Sequence, residues 1–376
     1  MERDIAIDYL RSSVTVAVVV HHSALAYNTF SYYDSAHCAR SAAPIVDTVR
    51  FAPLDALVGW NDIFFMSLMF FISGLFVVPS MARKGVGRFL ADRTKRLGIP
   101  FVIAATLLAP IAYYPSWLLS DSVSQGGFLS RFFTTDKGSA GPAWFIWVLL
   151  AFCVVVAIAY QFIPNLMKKL SWSPKSAGNL VVVVLAVTLI ATIPMQLFIA
   201  PGEWFRVAGP LYFPASRSTL YLAWFLLGVA LGSADPGRSL SRENLRPWPL
   251  WLIMGALGYG THGILSSGNY LANTPAWVLT LILATAFSFC CAFTSLAAIG
   301  LARSIFRTKW SPADHFSENA YGVYIFHYGF VIWVQFTLLS QPMPAAVKFL
   351  VTFSVALTAS WFFTALLRRT AAKTFL

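Results

Sequence analysis

Charge is what this chain lacks. Only 11% of its 376 residues are Asp, Glu, Lys or Arg, and 58% are hydrophobic, whereas a soluble domain carries roughly 25% charged residues. A surface so poor in charge cannot be kept in water, which excludes a string of ordinary soluble domains. Cysteine is scarce as well: Cys153, Cys290 and Cys291 lie inside apolar runs and only Cys38 falls in a loop, so no disulfide framework is implied. Internal repeats, low-complexity tracts and a soluble appendage are missing. So are the H-E-x-x-H, G-x-S-x-G, Walker and dinucleotide signatures, and adjacent His21 and His22 point in different directions on a helix, a poor start for a metal site. A metal, a permanently bound cofactor and nucleotide hydrolysis are unsupported.

Apolar runs are what the chain has. Windows of about 17 to 25 apolar residues predict helices over 13–30, 58–79, 98–119, 142–163, 179–199, 216–233, 248–266, 275–301, 319–339 and 346–367. In lipid the backbone must satisfy its own hydrogen bonds, so such segments form helices. The expectation is an all-α polytopic membrane bundle of about ten transmembrane helices, a single domain over residues 1–376.

The net charge of +12 invites a nucleic-acid partner, but Lys and Arg fall in short clusters between apolar segments rather than along one polar face. They set orientation instead. Ten crossings put 20 of the 27 basic residues on the side that holds both termini, and leave Arg40, Arg50, Arg131, Lys137, Arg206, Arg217 and Lys348 on the other. The basic side is cytoplasmic, which places a multi-pass protein in a bacterial inner membrane among its lipids. Loops 31–57, 120–141 and 200–215 then face outward as the expected lid or acceptor surface. The beginning of the chain could mimic a cleaved signal peptide, but Glu2, Asp4 and Asp8 accompany its basic residues and two histidines interrupt the apolar stretch. A retained first helix fits better.

Ionisable side chains inside a membrane are costly and usually face a cavity or a partner. The candidates are His21, His22, Asp62, His262 and His327. Arg11 and His22 are eleven residues apart, so they fall within about 20° on one helix face and about 16 Å apart along it. A cation at the cytoplasmic edge and an imidazole deeper on the same stripe would suit a long anionic donor; an interfacial anchor above a packed histidine is the other reading. Tyr321, Tyr324 and His327 recur at i, i+3, i+6. His327 lies about 12 Å up its helix and His22 about 15 Å up its own, depths that would let both share one cavity; the alternative is a packed aromatic ridge. Arg93 and Arg96 could present two planar forks to a phosphate, although positive-inside placement also explains such a run.

Taken together, these segments resemble the acyltransferase 3 family of membrane acyltransferases. The parts are Ile7-Asp8-Tyr9-Leu10-Arg11 with His22 ten residues on, then Phe70-Phe71-Ile72-Ser73-Gly74-Leu75, then Arg93-Thr94-Lys95-Arg96-Leu97. They continue with Gly141-Pro142-Ala143-Trp144-Phe145, Trp224-Phe225-Leu226-Leu227-Gly228, and a Ser-x3-Tyr-x2-Tyr-x2-His pattern from Ser317 to His327. The resemblance implies a ten-helix core, an acyl-CoA donor taken from the cytoplasm, and O-acylation of a glycan or lipid-linked sugar at or beyond the outer face. Other envelope glycan-synthesis proteins would be further partners. The Asp-Tyr-Leu-Arg start and short C-terminus are similar to stand-alone members, including osmoregulated periplasmic glucan succinyltransferases.

On this reading His22 is the general base, or carries the acyl group itself. Arg11 orients the donor, Arg93 and Arg96 hold its phosphates, and His327 with Tyr324 lines the cavity or polarises the thioester carbonyl. Tyr321, Trp144 and Ser73 would contact substrate through the motifs they belong to, and Asp62 through its location near the outside, as Glu203 and Arg206 could. The main rival is a transporter exporting a glycan or an acylated product with the same residues as its lining, although no symmetry between halves is apparent. A membrane scaffold gives no reason for the alignment of Arg11 with His22.

Overall fold

A computed structural model describes residues 4–37, 41, 43–121, 123, 126–163, 165, 169–234, 236–267 and 273–375. Glu2, Cys38 and Arg40 lie outside the described residues. A long helix stands at every predicted window: α1 Ile5–Leu25, α2 Pro53–Gly74, α3 Val86–Leu118, α4 Trp144–Phe162 and α5 Ala177–Phe198. The others are α6 Ser218–Ala234, α7 Trp248–Ser267, α8 Ala276–Ile305, α9 Ser311–Leu338 and α10 Ala345–Leu367. Among the described residues, seven helical stretches, those containing α2 to α6, α8 and α10, are long and apolar enough to cross a membrane. Polar residues inside α1 and α9, among them Asp8, Arg11, Asp314 and Glu318, lower their mean hydropathy.

Several helices begin well before their apolar windows. α1 starts at Ile5 rather than near 13, α3 at Val86 rather than 98, and α9 at Ser311 rather than 319. Apolarity marks the lipid-facing part of a helix, whereas caps set its end. Asp4 caps α1 by accepting from the Ile7 amide at 3.2 Å, and the same carboxylate takes both Arg303 amino groups, at 2.8 and 2.6 Å, tying the start of α1 to the end of α8.

α1 runs through the middle of the bundle against α2, α8, α9 and α10. α2 and α6 meet at a seam of glycines. A Cβ on Gly74 would stand 2.2 Å from the Phe225 carbonyl, one on Gly228 2.1 Å from the Phe71 carbonyl, and one on Gly232 2.1 Å from the Leu75 carbonyl. Only hydrogen fits there, as in close membrane crossings generally.

α3 carries the fold's main irregularity. It widens into π turns at Thr94–Gly98 and Ala104–Leu108 and contains Pro100, Pro110 and Pro115. A proline has no N–H for the carbonyl four residues back, and in lipid that carbonyl needs another donor. α9 supplies two. The Tyr321 hydroxyl donates to the Arg96 carbonyl, four before Pro100. The Trp333 indole donates at 3.0 Å to the Ile111 carbonyl, four before Pro115.

The loop expected over 200–215 is instead a hairpin, β1 Trp204–Ala208 antiparallel to β2 Leu211–Pro214, with Phe205 opposite Phe213 and Arg206 opposite Tyr212. Gly209, at φ +48°, makes its turn. A short helix, Phe128–Thr134, stands in the 120–141 loop. The first expected loop is held down at several points: the Asp47 amide bonds the Ala26 carbonyl at 2.9 Å, and the buried Asp47 carboxylate accepts from Lys348 of α10 at 2.7 Å.

Candidate active site

α1 and α9 bring two imidazoles together. His327 Nε2 lies 3.2 Å from His22 Nδ1. His327 Nδ1 is 2.7 Å from the Tyr324 carbonyl, and His22 Nδ1 is 2.9 Å from the Val18 carbonyl. A carbonyl oxygen only accepts, so both Nδ1 atoms carry the hydrogen. His22 then shares its N–H between Val18 and His327, whose Nε2 is the acceptor, and the unprotonated atom of His22 is its Nε2. His327 is fully buried while His22 stays partly exposed. Gln335, two turns further along α9, donates to the carbonyls of His22 at 3.0 Å and Ser23 at 3.2 Å, which fixes the end of α1 against α9.

On one side of this pair the Tyr328 ring meets the His22 ring edge-on, with centroids 5.3 Å apart. A string of hydroxyls leads on from it. Tyr328 donates to Tyr113 at 3.4 Å, and Ser139 Oγ is 3.1 Å from the Tyr113 hydroxyl and 2.9 Å from that of Tyr212 in the hairpin. Burial pushes the Tyr212 hydroxyl above its ordinary pKa, so it remains protonated and donates to the Gly141 carbonyl. Gly141 has φ +51°, and a Cβ there would sit 2.9 Å from the Tyr328 ring.

On the other side Tyr321 and Tyr324 step down α9. Tyr324 donates to the Pro142 carbonyl just ahead of α4, and Tyr321 to Arg96. About 9 Å of helix separates His327 from Tyr321, and there α3 opens a cavity of about 550 Å³ lined by Arg83, Lys84, Arg93, Lys95 and Arg96 with Asp92. Lys84 pairs with Asp92, and the Arg93 guanidinium lies 5.2 Å from the Phe89 ring centroid. Five cations against one carboxylate give the cavity a net positive lining, whose chemistry suits a polyanion.

The sequence candidates divide. His22, His327, Tyr324 and Tyr321 form one ridge, with Arg93 and Arg96 at its foot. The Arg11 side chain is 45% exposed and lies 3.5 Å from Asp8, at the N-terminal end of α1, the helix that carries His22. Trp144 is buried in an aromatic stack with Tyr221, centroids 5.7 Å apart. Ser73 donates to the Met69 carbonyl of its own helix at 2.8 Å, and its motif builds the glycine seam. Asp62 sits with His21 on another side of α1, joined to Arg217 through a carboxylate contact at 2.6 Å and a carbonyl contact at 2.9 Å. Arg206 braces the hairpin, donating to the Lys137, Gly138 and Gly209 carbonyls, and His262 packs on Phe287. Sequence reasoning passed over Tyr328, Gln335, Tyr113, Ser139 and Arg217. Gln335, an amide in an apolar run, and Arg217, a charge inside the predicted 216–233 window, carried a signal in the sequence.

A central histidine pair connected by an aromatic ridge to a basic cavity suits transfer from an anionic donor. The acyltransferase 3 family model, described as an acyltransferase domain, matches residues 4–365. The chain belongs to the acyltransferase 3 family. Within this acyltransferase 3 chain the matched region contains both histidines, the basic cavity's arginines and the glycine seam. A search among curated proteins returned no match.

Proposed function

We propose that this chain is a multi-pass inner-membrane O-acyltransferase that moves a short acyl group, acetyl, succinyl or similar, from cytoplasmic acyl-CoA to a sugar hydroxyl. The acceptor is a periplasmic or cell-surface glycan or a lipid-linked sugar. On this reading all ten long helices cross with both termini inside, which the division of 20 basic residues against seven supports.

The observation that carries the reading is the 3.2 Å contact between His327 and His22, because it leaves His22 Nε2 as an oriented proton acceptor. The acceptor's O–H bond breaks as its proton passes to Nε2, and its oxygen forms the new bond to the acyl carbon. The C–S bond then breaks, and the thiolate takes the proton back from the imidazolium to leave as CoA–SH. His327 acts through His22. Its Nδ1–H is committed to the Tyr324 carbonyl and its Nε2 to His22, so it has no N–H for the thioester carbonyl, and polarising that carbonyl is replaced by positioning. Arg93 and Arg96 hold the CoA phosphates, Arg11 guides the donor at the end of α1, and Tyr321 and Tyr324 line the way between.

The test is purified protein in liposomes supplied with acyl-CoA and a saccharide acceptor. Thioester consumption matched by an acyl mass increment on the saccharide supports the reading. Saccharide flux with no thioester loss supports a transporter. Mass spectrometry of glycans from deletion and complemented strains then names the acyl group and its carrier together.

A further inference from the structure

Among the described residues the hydrogen bonds of the His22 ring meet at one atom, Nδ1, which faces the Val18 carbonyl and His327. The torsion that turns an imidazole is soft, so a ring held at one atom tilts about it, and the edge that carries Nε2 needs packing to keep its direction. Three rings supply it. His21 is the neighbour on α1, with centroids 5.3 Å apart, and His327 shares the hydrogen bond. Tyr328, also 5.3 Å away and at 80° to the His22 ring, comes from α9 and takes no part in that bond.

Tyr328 is itself gripped from beyond α1 and α9. Its hydroxyl donates to Tyr113 of α3 at 3.4 Å, and the two rings lie 5.9 Å apart. Gly141 closes on the ring, at a φ of +51° and so near that a Cβ would stand 2.9 Å from it. The Gly141 amide donates to Ser139 Oγ at 3.2 Å, and its carbonyl accepts from Tyr212 of β2 at 3.2 Å. Ser139 Oγ in turn lies 3.1 Å from the Tyr113 hydroxyl and 2.9 Å from that of Tyr212. Tyr113 and Ser139 are buried, where a hydroxyl is costly unless paired. Apolar groups of the same shape would hold these elements together about as well, so the hydroxyls serve direction rather than cohesion.

We propose that Tyr328 is a positioning residue for the transfer described above, on which reading the inference rests, and that Tyr212 of the hairpin reaches His22 through it. Tyr212 and Ser139 set Gly141, Gly141 and Tyr113 set the Tyr328 ring, and that ring holds His22 Nε2 toward the acceptor's hydroxyl. The bonds made and broken are those already given.

The test combines kinetics of the full-length protein in liposomes with a signal from His22 itself. Tyr328→Leu should lower kcat on the order of 10²-fold, as a small misplacement of a reacting group does. Tyr328→Phe and Tyr212→Phe, which keep the rings, should each lower it about three- to tenfold, the loss expected of one hydrogen bond. KM for acyl-CoA should stay within about twofold throughout, because the basic cavity is lined by other residues. Added to Tyr328→Leu, Tyr212→Phe should cost less than about a further twofold, since the ring it acts through is gone; a general loss of packing would add in full. In protein with isotope-labelled histidine, the His22 signal is assigned by nitrogen NMR from its absence in His22→Ala. Tyr328→Leu should shift or broaden that signal, Tyr328→Phe should shift it less, and the signal of His262 should stay in place. An unmoved His22 signal, a change in KM as large as that in kcat, or full additivity of Tyr212→Phe with Tyr328→Leu overturns the proposal. A His22 signal that responds in this order in a protein that consumes no thioester supports the positioning and contradicts the transferase reading.

Discussion

His22 and His327 stand 305 positions apart in sequence and 3.2 Å apart in space, and the direction of their hydrogen bond follows from the carbonyls that hold each ring. His327 is thereby a support for His22 and has no free N–H for substrate. His327→Ala should reduce kcat by on the order of 10²-fold with little change in KM for acyl-CoA. His327→Gln, whose amide oxygen can accept the same hydrogen bond, should recover part of that loss. Steady-state kinetics of the three proteins checks this, and equal rates for the Ala and Gln variants contradict it.

Arg93 and Arg96 should act on donor binding. Charge-assisted hydrogen bonds contribute about 1.5 to 3 kcal/mol each, so Arg93→Gln or Arg96→Gln should raise KM for acyl-CoA roughly 10- to 100-fold. The effect should weaken at high salt. Donor titrations at two ionic strengths measure it, and a change confined to kcat contradicts the assignment.

The glycine seam makes a prediction about folding. A methyl on Gly228 would stand 2.1 Å from the Phe71 carbonyl, which is backbone and cannot turn aside. Gly228→Ala should destabilise the protein by about 1 to 3 kcal/mol, read as an earlier thermal transition in detergent. Gly260→Ala, where a Cβ meets nothing within 4 Å, is the control and should leave the transition in place.

Lys348 and Asp47 form a buried pair, with side chains 2% and 1% exposed. Removing one partner leaves the other charge buried alone, so Lys348→Met should cost about 3 to 5 kcal/mol. The double variant with Asp47→Leu should recover much of it. A double-mutant cycle on thermal stability measures the coupling, and additive losses contradict it.

The helices were legible because a run of some twenty apolar residues has few other uses, and depth along a helix is simple arithmetic. That arithmetic also placed His22 and His327 at similar levels. Motifs were harder to read than runs: Ser73 and Gly74 look the same in sequence whether a small-residue stretch lines a site or lets two helices touch, and here it does the second. Arg217 was counted only as an outside charge, because its bond to Asp62 spans 155 positions and no local pattern announces it. The hairpin carried alternation too short to stand out, and the part α9 plays for the prolines of α3 needed both helices in view. Helix starts were misplaced where Asp4 and its neighbours continue a helix past the apolar stretch.

The most direct measurement is acyl transfer by reconstituted wild-type protein and His22→Ala, followed by thioester loss and acceptor mass in the same vessel. If His22 Nε2 takes the acceptor's proton, the variant should insert and express normally yet lose on the order of 10³-fold or more of its transfer rate, with KM for acyl-CoA little changed. Transfer by His22→Ala at a near-normal rate would contradict the assignment of His22 as the base.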